Sequence, residues 1–191
     1  ISSSVLATNG AGAHGIIARA LNGSAAALTT GTIETNGDDS IGIDVSGGDI
    51  TVTNTSVVTH GDRSGGVVAA STGGTVSITS QRISTGGDDS AALTLDSAGP
   101  TTVTVSEITT LGDWSHGMDA RVGGDALIRF DNIVTDGEYS KGLQAEALTG
   151  TALTIEGGDI LTGGLGARAL DVSTDDTRLQ AAVGEIVTHG E

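Results

Sequence analysis

Aliphatic residues stand two apart in short bursts along the whole chain: Ile43 and Val45, Val67 and Ala69, Leu93 and Leu95, Met118 and Ala120, Leu143 and Ala145. A period of two marks a strand with one buried face. A second set of bursts has the same spacing, at Ile50 and Val52, Val76 and Ile78, Ala126 and Ile128, Leu153 and Ile155. Glycine pairs separate the two sets, at Gly47-Gly48, Gly73-Gly74 and Gly123-Gly124. No stretch shows helical spacing.

The bursts are punctuated by a recurring motif. TNGDDSIGI from Thr35 returns as THGDRSGGV from Thr59, TGGDDSAAL from Thr85, TLGDWSHGM from Thr110 and TDGEYSKGL from Thr135. Its first glycine is Gly10, Gly37, Gly61, Gly87, Gly112, Gly137, Gly164 and Gly190, which gives seven intervals of 24 to 27 residues. That period belongs to solenoids and arrays. Four residues before each such glycine stands an aliphatic residue, such as Ile33, Val57 or Ile83. Two before it stands a threonine, and five after it a glycine or alanine.

With no helix to make a crossover, successive copies of each strand must stack in parallel. The pattern predicts an all-β parallel β-helix of about seven coils, each of 24–27 residues with about three short strands, running as one solenoid through residues 1–191. At a coil spacing of about 4.8 Å the rod is roughly 35 Å long. The GD motif is read as a corner. Gly37 and its equivalents are expected to take positive φ there, and the small residue five positions on to leave room where coils cross. Asp38, Ser40 and Thr35 are expected to bond local amides, and the threonine column to bond from coil to coil.

Composition sharpens this picture. Aromatic residues are 2% and apolar residues 37%, so the core must be built from Ile, Val, Leu and Ala. The formal charge is −16, which repels phosphate backbones and argues against nucleic acid as a partner. The chain has no cysteine, which excludes disulfides and thiolate metal sites and fits a bacterial secreted protein. No signal-peptide pattern opens the chain, and no apolar run approaches the roughly 20 residues of a membrane span. Ile1 falls in mid-coil and Glu191 just inside an eighth corner, so further coils are expected on both sides.

Candidate chemistry lies on the corners. Stacking places Asp38, Asp62, Asp88, Asp113 and Glu138 in one column. Such a column is either a solvated acidic ridge or a set of calcium sites, since calcium takes several oxygen ligands. The nine-residue calcium repeat is absent. A glycosidase also needs neighbouring carboxylates, but a catalytic site should interrupt the repeat, and this column does not. The string GDRSGG at Gly61 to Gly66 is one copy of the corner rather than a protease loop. His14 and His116 share one column and His60 and His189 another, each pair several coils apart, so no pair shares a metal. They read as surface histidines. Trp114 and Tyr139 fall on adjacent coils in an outward column, where they either contact a ligand or partner or cover the turn.

The TxGDxSxG corners and the parallel coils resemble the right-handed β-helical passenger regions of bacterial autotransporters. The resemblance implies a right-handed helix displayed outside the outer membrane of a Gram-negative bacterium, as a non-enzymatic structural or adhesive rod. Its expected partners are a host or neighbouring-cell surface, glycan or protein, or further copies of itself, end to end or side by side. Two alternatives stand beside it: a carbohydrate-active β-helix such as a lyase, glycosidase or phage tailspike, and a filament or surface-layer subunit.

Overall fold

The computed structural model describes residues 2–148, 152–175 and 178–190, and its described residues contain strands and turns with no helix. Two parallel sheets run along the rod. The first contains β1 (Ser2–Thr8), β3 (Ala26–Thr35), β5 (Ile50–Thr59), β7 (Val76–Thr85), β9 (Thr101–Thr110), β11 (Ala126–Thr135) and β13 (Ala152–Gly163) in that order, ending with β15 (Arg178–Val183) and β16 (Ile186–His189), both paired to β13. The second is built from the shorter strands β2 (Ile16–Arg19), β4 (Ile43–Gly47), β6 (Val67–Ser71), β8 (Leu93–Ser97), β10 (Met118–Val122), β12 (Lys141–Ala147) and β14 (Arg168–Thr174). The parallel β-solenoid of about seven turns is therefore the fold of this chain.

Most coils show two strands where the sequence predicts about three; among the described residues, only in the last are the two arms of the long strand separate, as β15 and β16. The long strand is bent rather than broken. In β5, buried and outward residues alternate from Ile50 to Asn54, then Thr55 and Ser56 both stay outside before Val57 turns in. Two outward residues in a row shift the phase of the side chains and make a corner. Pairing skips the bend: Asn54 aligns with Ser80 and Ser56 with Arg82, leaving Thr55 and Gln81 out of the ladder. The third edge of the coil thus needs no glycine turn.

The interior is a set of aliphatic columns. Ile33, Val57, Ile83, Ile108, Ile133 and Ile160 are fully buried, as are Ile43, Val67, Leu93, Met118 and Leu143 on the facing sheet. Each such side chain contributes about 1.5–3 kcal/mol relative to exposure. One interior column changes character along the rod, from Thr30, Asn54 and Ser80 to Val105 and Phe130. Asn54 Nδ2 donates to Ser80 Oγ at 2.9 Å, while Thr30 Oγ1 and Asn54 Oδ1 have no protein partner. Phe130 fits because the next coil offers Gly157, where a β-carbon would run into its ring.

The corner differs from expectation in three ways. Gly37, Gly61, Gly87, Gly112 and Gly137 do not take positive φ, although Gly10 and Gly164 do, at 106° and 89°. A β-carbon on any of the five would overlap the carbonyl of the glycine one coil before it, so close stacking excludes a side chain. The left-handed residue is instead two positions later: Asp39, Arg63, Asp89, Trp114 and Tyr139 have φ of 57°, 53°, 52°, 57° and 55°. Secondly, most of the threonines bond within a coil, while Thr135 and Thr162 Oγ1 have no hydrogen-bond partner among the described residues. Thr35, Thr59, Thr85 and Thr110 donate across the corner to the carbonyls of Ser40, Ser64, Ser90 and Ser115 at 2.5–2.8 Å.

Thirdly, the amides bonded by the corner side chains belong to neighbouring coils. Ser40, Ser64, Ser90, Ser115 and Ser140 are fully buried. Ser90 Oγ accepts from Ser64 N–H at 2.9 Å and is within donating distance of the Gly61 and Asp88 carbonyls, at 3.1 and 2.9 Å. The same pattern recurs at every serine in the column. These hydroxyls, with the aspartates beside them, join the corners into continuous ladders.

Candidate functional site

The corner column of acids is the first candidate. Asp38 Oδ1 accepts from the Asp62 amide, Asp62 from Asp88, Asp88 from Asp113, and Asp113 from Glu138, at 2.7–3.1 Å. One oxygen of each aspartate therefore caps a backbone N–H of the next coil. That charge-assisted bond ties the corners of successive coils together. Asp49 Oδ1 and Asp125 Oδ1 do the same on another edge, for Thr75 and Ala152. Among the described residues no three His, Asp or Glu side chains converge as a metal cluster.

The histidines have two kinds of surroundings. His14 and His116 are half-buried, and their Nδ1 atoms accept from the Ile41 and Lys141 amides at 3.0 and 3.1 Å. Both act as inter-coil caps, a role the sequence pattern does not show. Burial pushes the His116 imidazole below its usual range, Asp119 and Asp171 oppose the shift, and Lys141 adds to it. His60 is exposed and lies 3.4 Å from Glu34.

Most of the basic residues lie against acids, usually one coil away. Arg19 pairs with Asp44, Arg82 with Glu107, Arg121 with Glu146, Arg129 with Glu156, and Lys141 with Asp171. Arg63 makes a bidentate pair with Asp39, with Nε–Oδ1 at 2.7 Å and Nη2–Oδ2 at 3.0 Å. The Arg63 hydrogen bond holds the Asp39 carboxyl below the usual carboxylate range. Lys141 does the same for Asp171. These cations act as cross-strand partners, and the acidic excess remains at the surface.

Trp114 and Tyr139 form the clearest departure from this polar surface. Their rings stack on one another, with centroids 4.6 Å apart and planes 19° from parallel. The separation is close to the coil spacing, so each ring lies roughly in the plane of its own coil. Tyr139 is covered on its far side by Gly166, where a β-carbon would come within 2.7 Å of the phenol ring. Leu111, Leu161 and Leu165 are exposed on the same stretch of the rod. Leu111, Val134, Asp136, Leu161 and His189 help to line a shallow groove of about 390 Å³. The sequence reading passes over these leucines, yet two break their columns: Leu165 stands where Asp38 and its equivalents stand, and Leu111 where Asn36, His60 and Asp136 stand.

Among the described residues no helix is long and apolar enough to cross a membrane. Comparison of the chain with models of known protein families, with curated proteins and with solved structures finds no match.

Proposed function

We propose that this chain is a non-enzymatic rod displayed at the surface of a Gram-negative bacterium, in the manner of an autotransporter passenger, where it spaces or presents an adhesive face. The observation that carries the reading is the inter-coil ladder. Serine, aspartate, histidine and arginine side chains, the groups from which an active site is usually built, here bond neighbouring coils to one another. What the sequence builds is length and stiffness, with the charged and aromatic variation at outward positions. Stacked coils depend mainly on their neighbours, so such a chain can fold progressively as it emerges from a cell. A core without cysteine suits the same route.

The test is accessibility in the producing bacterium. An antibody against the rod should label intact cells, and external protease should remove that label. Labelling that appears only after lysis rejects surface display. Incubation with a panel of neutral and acidic polysaccharides separates the glycan-active alternative, because new reducing or unsaturated ends above a heat-inactivated control mean that the rod is an enzyme.

A further inference from the structure

We propose that Asp89 and the outer face of Trp114 form a notch for a guanidinium group, and that it receives an arginine from an extended basic and apolar segment of a partner protein. The inference rests on reading the rod as a display scaffold and names what one part of it displays.

The left-handed corner position carries Asp39, Arg63, Asp89, Trp114 and Tyr139 on successive coils. Tyr139 has Trp114 on one side and Gly166 on the other. Trp114 has Tyr139 on one side only, and its other face turns towards the coil of Asp89. Accordingly Trp114 is 57% exposed and Tyr139 41%. Asp89 is itself exposed, and among the described residues its carboxylate has no ion pair or side-chain hydrogen bond, since Arg63 on the coil beyond turns away from it to Asp39.

The spacing suits a planar cation. A guanidinium lying on the indole would sit about one coil rise above it, level with the Asp89 carboxylate. It would then make a two-point bond in its own plane and a cation–π contact beneath. The same column already holds one such pair, since Arg63 binds Asp39 through Nε and Nη2 across one coil step. Asp88, Asp113 and Glu138 flank the notch and draw a basic segment to it. Leu111 and Leu161, on the neighbouring groove, offer contact to apolar residues beside the arginine.

Trp114 is the only tryptophan, so its fluorescence reports the notch directly. The probe is an acetylated, amidated Leu-Arg-Leu-Arg-Leu peptide, titrated into the purified chain, with its lysine and glutamate counterparts. The arginine peptide should change Trp114 emission saturably, and Asp89→Asn should weaken it by about 5–10-fold. Asp96→Asn makes the same charge change at an exposed position on β8, away from the corner column, and should alter affinity by less than about 2-fold. Both variants should melt like the parent chain, as surface substitutions do. Equal weakening by the two variants, equal binding of the lysine peptide, or no saturable change overturns the proposal. None of those results bears on surface display, which the labelling of intact cells decides separately.

Discussion

Replacing Ser90 by alanine removes one oxygen from a site with 0% exposure. Its Oγ accepts from Ser64 N–H, and its single O–H is shared between the Gly61 and Asp88 carbonyls, so both interactions go with it. The Asp88 carbonyl keeps a partner, because it also accepts from Arg63 N–H at 2.8 Å. The Ser64 amide and the Gly61 carbonyl lose the bond that Ser90 supplies. A buried polar group without a partner costs about 1–3 kcal/mol, so the two together predict a loss of roughly 2–6 kcal/mol. Urea denaturation followed by circular dichroism reads this as a fall in midpoint. Thr79→Ala on the outer face of β7 is the control and should stay within about 0.5 kcal/mol. If Ser90→Ala also stays within that limit, or Thr79→Ala costs as much, the serine ladder does not hold the corners together.

Three further outcomes follow from the geometry. Gly157→Ala drives a β-carbon into the Phe130 ring and should cost about 1–3 kcal/mol; adding Phe130→Leu should recover most of it, and additive losses would break the pairing of the two positions. His116 is held neutral by burial and by its bond from the Lys141 amide, so its folded pKa lies below the unfolded one. Its contribution is complete above about pH 6.5 and is lost as pH falls from there towards the folded value. His116→Asn should therefore flatten the fall in melting temperature between about pH 7 and 5, and an unchanged slope would dismiss the imidazole as its source. Calcium at about 5 mM should raise the melting temperature no more than magnesium or sodium chloride of equal ionic strength, because the inner oxygen of each corner aspartate is engaged by an amide; a calcium-specific rise reversed by chelator would restore the corners as ion sites.

The period, the parallel stacking and the identity of the core columns were legible in the sequence because each rests on repetition that one chain displays many times. Ile33, Val57 and Ile83 announce a buried column by recurring at the same phase, and the structure buries all three completely. Partners were harder to read. Thr35 and Ser40 are both five-fold repeated or more, yet one bonds within its coil and the other between coils. Repetition shows that a residue matters without showing to whom it bonds. The bend at Thr55 was hidden for a related reason: two outward residues in succession look like a lapse in alternation, whereas a glycine pair is conspicuous. The conformation of Gly37 was misassigned because glycine answers two different demands, positive φ and the absence of a β-carbon, and only the neighbouring coil shows which applies.

The left-handed position varies widely from coil to coil. Its backbone groups are satisfied by the neighbouring coil, as when Asp39 N–H donates to the Asp62 carbonyl and Trp114 N–H to that of Glu138. The side chain there has no structural duty, and it is free to vary. Left-handed backbone is nevertheless unfavourable by roughly 1–2 kcal/mol for residues with a β-carbon, least so for aspartate and asparagine. Glycine meets the demand at both ends of the column, at Gly12 and Gly166, with φ of 70° and 68°. Between them the chain places an arginine, a tryptophan and a tyrosine. Arg63 recovers a bidentate ion pair with Asp39, and the aromatic pair recovers about 0.5–1.5 kcal/mol from stacking. That gain falls short of the roughly 2–4 kcal/mol of strain in two left-handed aromatic residues. Stability alone therefore gives no reason to prefer Trp114 and Tyr139 to the glycine found elsewhere in the same column, and recognition at the exposed indole face supplies one.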